Sequence, residues 1–209
     1  MGLWTDRVVP HVVERALSTA DVMSLREAAC ADLSGRVLEV GFGSGLNVDA
    51  YPPAVTGVDA VEPSDVGWSM SAKRRAGASV PIERVGLDGQ RLAAEDASYD
   101  AVLSTFTLCT IPDVAAALLE VRRVLRPGGA FHFLEHGRSP EDSVARRQRR
   151  LDPLQRRVAG GCHLSRDIPA LVRAAGLEVE SLQAAYLPGP RLGRPWAYVF
   201  NGRAVPSTP

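Results

Sequence analysis

Residues 37–47 read VLEVGFGSGLN: a branched apolar run, an acid at Glu39, then Gly41, Gly43 and Gly45 on alternate positions. With the preceding Gly35-Arg36, the run is short, apolar and ended by glycine, which reads as a buried β-strand. Glycines placed directly after a strand cost backbone entropy. They point to a turn whose backbone something approaches closely.

Strands and helices alternate on either side of this turn. Residues 8–32 read as helix, with Pro10 near its start, and SGLNVDAY as a brief helix stopped by Pro52-Pro53. AVTGVDAVEPS is a second strand halted by Pro63, 66–76 a helix, IERVGLDG a third strand and turn, and YDAVLSTFTL a fourth strand. DVAAALLEVRRVLRPGG has apolar residues at helical spacing and closes on Pro127-Gly128-Gly129; AFHFLEH is the fifth strand. DIPALVRAAG, LEVESLQAAY and PWAYVFNGRAV follow as helix, strand and strand. The order predicts an α/β, Rossmann-like, mostly parallel sheet with helices on both faces, in one domain over 1–209. Residues 1–34 are expected to form an N-terminal helical cap. Residues 138–165, polar and Arg-rich, are expected to be an irregular, lid-like insertion. The terminal VPSTP is expected to fray.

Composition narrows the function. The 24 basic and 24 acidic side chains leave no formal net charge, so no blanket field draws the chain to nucleic acid. The arginines between Arg146 and Arg157 form a local basic run, read as a solvated helical face that leaves peripheral lipid contact open. No apolar run spans a bilayer and no signal peptide is evident, so a cytoplasmic protein without a transmembrane segment is expected. Cys30, Cys109 and Cys162 are odd in number and scattered, which argues for a reducing compartment.

In an open parallel sheet, ligands bind at the carboxyl ends of the strands. The turn is G-x-G-x-G, one residue short of the dinucleotide fingerprint, and this disfavours a pyrophosphate and a nicotinamide oxidoreductase. Glu62 ends the second strand, where a carboxylate can accept two ribose hydroxyls at roughly 1.5–3 kcal/mol each. Asp59 competes for that role, but it lies inside the apolar run. Asp88 and Gly89 follow the third strand, placed to meet an adenine amino group and ring nitrogen. Glu39 is placed to hold a positive amine. The implied ligand is an adenosine with an amine-bearing tail and no large anion: S-adenosylmethionine.

VLEVGFGSGLN, VEPS, LDGQRLAAEDASYDAVLS, LLEVRRVLRPGG and FLEH resemble the class I S-adenosylmethionine-dependent methyltransferases over about 36–137. NVDAYPP, TLCTIPD and GGCHLSRD resemble the branch holding the alkyl-thiol methyltransferases and their bacterial relatives. The resemblance implies a seven-stranded sheet with an antiparallel last strand. It also implies cofactor contacts from Glu39, Gly41, Phe42, Gly43, Gly45, Asn47, Glu62, Pro63, Asp88, Gly89, Thr105 and Phe106. Phe42 stands where the family usually has cysteine.

Methyl transfer needs alignment, desolvation and, for a neutral acceptor, removal of a proton. Thr105 and Phe106 follow the fourth strand; Glu135 and His136 follow the fifth. His136 is the first candidate base, because a neutral imidazole can take a thiol's proton. His163 is the alternative base, and Cys162 is expected to line the acceptor site without acting as nucleophile. HFLEH (132–136) fits a zinc-binding H-x-x-E-H pattern, but on a strand its histidines stand about 13 Å apart, so no metal is expected. The acceptor is expected to be small and largely apolar, with a thiol as first choice. The alternatives are nitrogen or oxygen methylation of a lipid headgroup, quinone or other small metabolite, or a non-catalytic cofactor-binding module that partners another protein. Oligomeric state is not legible.

Overall fold

In the computed structural model, residues 8–207 are described. The expected Met1–Arg7 portion of the cap, with Trp4, lies outside them, as do Thr208 and Pro209. The seven strands are β1 Gly35–Val40, β2 Val55–Val61, β3 Ile82–Gly86, β4 Tyr99–Thr105, β5 Leu125–His136, β6 Leu177–Tyr186 and β7 Tyr198–Pro206. They form one sheet in the order β3-β2-β1-β4-β5-β7-β6. The first five are parallel to one another, and β7 runs antiparallel to both β5 and β6. The expected architecture is therefore present. VPSTP departs from expectation: Val205 and Pro206 complete β7, and the Ser207 N–H donates to the Gly176 carbonyl at 2.9 Å.

The strands alternate their side chains between two apolar layers. On one face Leu38, Val40 and Val102 pack with Phe131 and Phe133 under α5 (Val114–Val124) and α7 (Ile168–Ala174). On the other, Val37, Val58, Ala60, Ala101 and Leu103 pack with Cys30, Leu33 and Phe42. Helix α5 shows how the sequence dictates this. Asp113 caps it by accepting from Ala116 N–H at 3.0 Å. Val114, Ala117, Leu118, Val121 and Val124 then line one buried stripe at helical spacing. The helix ends at Val124, before Arg126, because a residue preceding proline is pushed out of the helical region.

Three helical stretches differ from expectation. The stretch over 8–32 breaks at Ser18-Thr19 into α1 Val9–Leu17 and α2 Ala20–Cys30, with Thr19 extended. The helix over 66–76 is α3 Asp65–Met70 and α4 Ala72–Ala76, separated at Ser71. Residues 138–165 are not irregular: Asp142–Val158 form a continuous α6. Its arginines are good helix formers, and Val144, Ala145 and Gln148 suffice to bury one side. A last short helix, α8, spans Arg194–Ala197.

Candidate active site

The chain runs outward from β1 through β2 to β3, then returns to place β4 on the other side of β1. The carboxyl ends of β1 and β4 thus flank the switch point, where such sheets bind ligands. The glycine turn sits there, with Gly41, Gly43 and Gly45 at φ of +79°, +56° and +76°. A side chain on Gly41 would collide with Thr107, and one on Gly45 would crowd Phe42 and Ser71 at 3.2 Å. Those two glycines answer to the protein's own packing. Gly43 faces open space, so it is the one whose missing side chain leaves room for a ligand.

A buried polar network closes the inner wall. Glu39 accepts from Asn47 Nδ2 at 2.9 Å and from the Tyr51 hydroxyl. Arg26, on α2, donates from one nitrogen to Asn47 Oδ1 and Thr105 Oγ1, both at 2.8 Å. Its guanidinium lies 5.3 Å from the Phe106 ring centroid. Phe106 itself holds φ of +53°, a strained conformation for a bulky residue and one that gathers at functional sites. Burial pushes the Glu39 carboxyl up to about 7, against the pull of its bonds from Tyr51 and Asn47 and the charge of Arg26. Burial likewise works against the charge of Arg26, and Glu39 supports it. Arg26 and Tyr51 are missing from the sequence reading. The signal for Arg26 was its spacing: Val22, Arg26, Ala29 and Cys30 share the buried face of α2.

The outer wall is supplied by β2 and β3. Glu62, nearly buried, accepts from Gly43 N–H at 2.6 Å and Ser64 N–H at 2.7 Å, so it braces the glycine turn. Burial raises its pKa. Exposed Pro63 follows it. Asp59 is engaged by Arg36 and the Tyr99 hydroxyl, which takes it out of contention for the ribose. Asp88 is exposed and accepts from the Gln90 backbone and side chain, both at 2.9 Å, so its own turn is what it visibly organises. Gly89 passes so near Val40 that a side chain there would stand 2.8 Å from Val40 Cγ1. The Phe42 side chain points into the core, with its ring centroid 5.4 Å from that of Trp68. Only its backbone remains for a ligand.

Beyond β4 and β5 lies a second cluster. Glu135 Oε1 accepts from Ser104 Oγ, Thr107 N–H and Leu108 N–H at 2.8, 2.9 and 3.0 Å. It thereby fixes the turn that carries Cys109. Arg166 pins the Leu108 carbonyl from the other side. His136 Nε2 lies 2.9 Å from Cys162 Sγ. The ligating atoms of Cys109, His136 and Cys162 are all within 4.8 Å of one another. Hydrogen bonds from Cys109 and then His136 pull the Cys162 thiol down, against burial. Burial draws the His136 imidazole down, but the bond to Cys162 and the charges of Cys162 and Glu135 outweigh it and the net shift is upward. The hydrogen bond with Cys162 and then burial push the Cys109 thiol well up. His163 is only partly buried, and its backbone N–H donates to the Cys109 carbonyl at 2.8 Å. The structure thus joins His136 to Cys162 and leaves the His163 side chain outside their cluster.

His132 and His136 lie on a strand, as expected. Helix α1 buries none of its residues. It is held across the glycine turn by Glu14, which pairs with Arg74 at 2.8 Å and accepts from Ser44. Arg146, Arg147, Arg149, Arg150, Arg156 and Arg157 are all exposed on α6. No helix among the described residues is long and apolar enough to cross a membrane.

Three buried polar atoms have no hydrogen-bond partner among the described residues: Arg26 Nε, Glu135 Oε2 and His136 Nδ1. Such groups are rare in a finished interior. All three belong to residues ringing the carboxyl ends of β1, β4 and β5. An orphan cationic donor, a nearby acid and the open space at Gly43 fit a nucleoside whose tail carries both a carboxylate and an amine.

Comparison with known proteins agrees. A family model described as a methyltransferase domain matches residues 38–133. The rat (Rattus norvegicus) thiol S-methyltransferase TMT1B is 33% identical over 175 residues, which take in 81% of this chain and 70% of that protein. Human (Homo sapiens) thiol S-methyltransferase TMT1A is 36% identical over 156 residues, 71% of this chain and 63% of that protein. In fold, the chain is similar to an S-adenosylmethionine-dependent methyltransferase from Thermotoga maritima, with a TM-score of 0.67 and 20% identity over 98% of this chain and 99% of that one. The protein is therefore an enzyme, a methyltransferase. It belongs to the class I S-adenosylmethionine-dependent family, and S-adenosylmethionine is its cofactor.

Proposed function

We propose that this enzyme methylates a small, largely apolar thiol. The observation that carries the reading is the partly buried His136–Cys162 pair, 2.9 Å apart at the end of the fifth strand and backed by Cys109. The names of the rat and human relatives point the same way. The cofactor supplies a methyl on a positively charged sulfur, so the work left to the chain is positioning, exclusion of water and removal of the acceptor's proton.

Named residues divide this work. Arg26 Nε is the free donor for the cofactor carboxylate, and Glu39 faces its amine. The Gly43 backbone gives it room. Glu62 accepts from the ribose, and the Asp88-Gly89 turn meets the adenine. Thr105 and Phe106 border the reacting end. In its neutral form His136, in preference to His163, takes the acceptor's proton at Nε2, and Cys162 lines the acceptor site while holding that imidazole in place. Helix α1 and the 138–165 segment cover the site.

The test is an acceptor screen with hydrogen sulfide, alkyl thiols, phenols, quinols and amines, read as S-adenosylhomocysteine formation. Turnover confined to thiols is the expected result; turnover confined to amines or phenols overturns it. The exposed arginine face of α6 favours a second reading, in which a lipid headgroup is the acceptor. Turnover only in the presence of anionic vesicles would select it.

A further inference from the structure

We propose that Cys109 Sγ, Cys162 Sγ and His136 Nε2 form a site for one zinc ion, with its fourth position open to the sulfur of the acceptor. The three residues come from three separate elements: the turn after β4, the end of β5 and the loop after α6. Their ligating atoms already gather within 4.8 Å, and both cysteines are buried. Zinc bonds of about 2.3 Å to sulfur and 2.0–2.1 Å to nitrogen require only small side-chain movements from this arrangement.

The site is held by the backbone rather than by the ligands. The His163 N–H donates to the Cys109 carbonyl at 2.8 Å, tying the two cysteine loops together. Glu135 fixes the Cys109 turn from beneath. Two sulfurs and one imidazole, with no carboxylate among them, suit a borderline-soft cation and not magnesium or calcium. Charge also closes: two thiolates and a neutral imidazole neutralise a dication in a buried place. As the ion enters, the protons of both thiols and any on the imidazole leave to solvent.

The fourth position rests on the thiol reading above; the ion site does not. An acceptor thiol bound there loses its proton to solvent and stays as a metal-held thiolate. The ion then replaces proton acceptance at His136 Nε2 as the means of making the nucleophile.

The test uses the full chain, reduced, stripped with a chelator and titrated with zinc or cobalt(II). The expected result is one metal per chain and a thiolate-to-cobalt charge-transfer band that shifts when an alkyl thiol is added. Cys109→Ser and Cys162→Ser should each weaken zinc binding beyond the roughly 10–100-fold expected from loss of a supporting residue. S-adenosylhomocysteine affinity should be kept in both, which shows that they are folded. Should either variant misfold, the wild-type stoichiometry decides. Wild-type protein that binds S-adenosylhomocysteine but holds less than a tenth of an equivalent of zinc overturns the ion site and leaves His136 as the base. A cobalt band indifferent to thiol overturns the open position. Thiol turnover in the acceptor screen, with or without zinc, judges the methyl-transfer reading separately.

Discussion

His136 Nε2 and Cys162 Sγ stand 2.9 Å apart across 26 positions of sequence, one at the end of a central strand and the other in the loop that follows α6. The contact joins two residues that are unremarkable alone, and the proposed role of the pair at the acceptor can be tested. His136→Ala should lower turnover about 10²–10⁴-fold, the usual worth of a positioned proton acceptor. S-adenosylhomocysteine affinity should stay within about twofold, since the imidazole lies outside the cofactor wall. Stopped-time product assays beside calorimetry separate the two, and undiminished turnover removes His136 from the chemistry.

The proposed contact of Glu39 with the cofactor amine predicts a pH dependence of binding. Its carboxyl titrates near 7 in the free protein because it is buried. The cofactor amine favours the ionised form. Affinity for S-adenosylhomocysteine should therefore rise with pH below 7, by up to about tenfold per unit, and level off above it. Glu39→Gln should flatten the profile and weaken binding at pH 8. A wild-type profile that is flat from pH 5.5 to 8 contradicts the assignment.

Arg26 separates fold from function only if the right replacement is made. Alanine leaves Asn47 Oδ1 without its donor and Glu39 without its buried counter-charge, and breaking a buried charged network of this kind costs about 3–5 kcal/mol. Arg26→Lys keeps the charge but loses the fork that reaches both partners and a ligand. It should bind S-adenosylhomocysteine at least about tenfold more weakly while shifting the melting temperature much less than alanine does.

The glycines of the turn make opposite predictions. Gly43→Ala imposes a left-handed alanine, about 1–2 kcal/mol, and its methyl enters the open space, so cofactor affinity should fall more than stability. Gly41→Ala carries the same strain and also strikes the Thr107 side chain. It should fail in thermal denaturation first. Equal behaviour of the two variants would mean that nothing occupies the space at Gly43.

His132 predicts acid sensitivity. Burial, then the charge of Arg203, holds its pKa down at about 4, below the ordinary 6.5. Between those values the unfolded chain binds a proton that the folded chain refuses. Stability is therefore intact above pH 6.5 and falls as pH drops toward 4, by on the order of 3 kcal/mol from this residue. His132→Phe should remove that part of the slope in urea titrations at pH 4.5 and 7.

The sheet was legible because its strands are short branched runs ended by glycine or proline, and those signals are local. The acids at the strand ends were legible for the same reason. Helix α6 was not: its buried stripe is three residues long amid arginines, too little apolar periodicity to register. Arg26 was hidden by the opposite problem, a charge on an apolar face that composition assigns to solvent. Cys109 could not be paired with Cys162 from spacing, since only the packing of the loops after β4 and α6 brings them together. The glycine turn was read as a place of close approach, but at Gly41 the intruder is Thr107 of the same chain.

The final strand is also the keystone of its neighbours. Strand β7 enters between β5 and β6, and its Val199 lies opposite His136. During synthesis β5 therefore emerges with one flank bare and must wait for nearly the whole remaining chain before that flank is zipped. An unpaired flank of this kind invites pairing with other molecules. The surroundings of His136 are thus among the last parts of the enzyme to be finished, and a nascent chain released short of residue 198 would carry its glycine turn intact beside an unpaired β5.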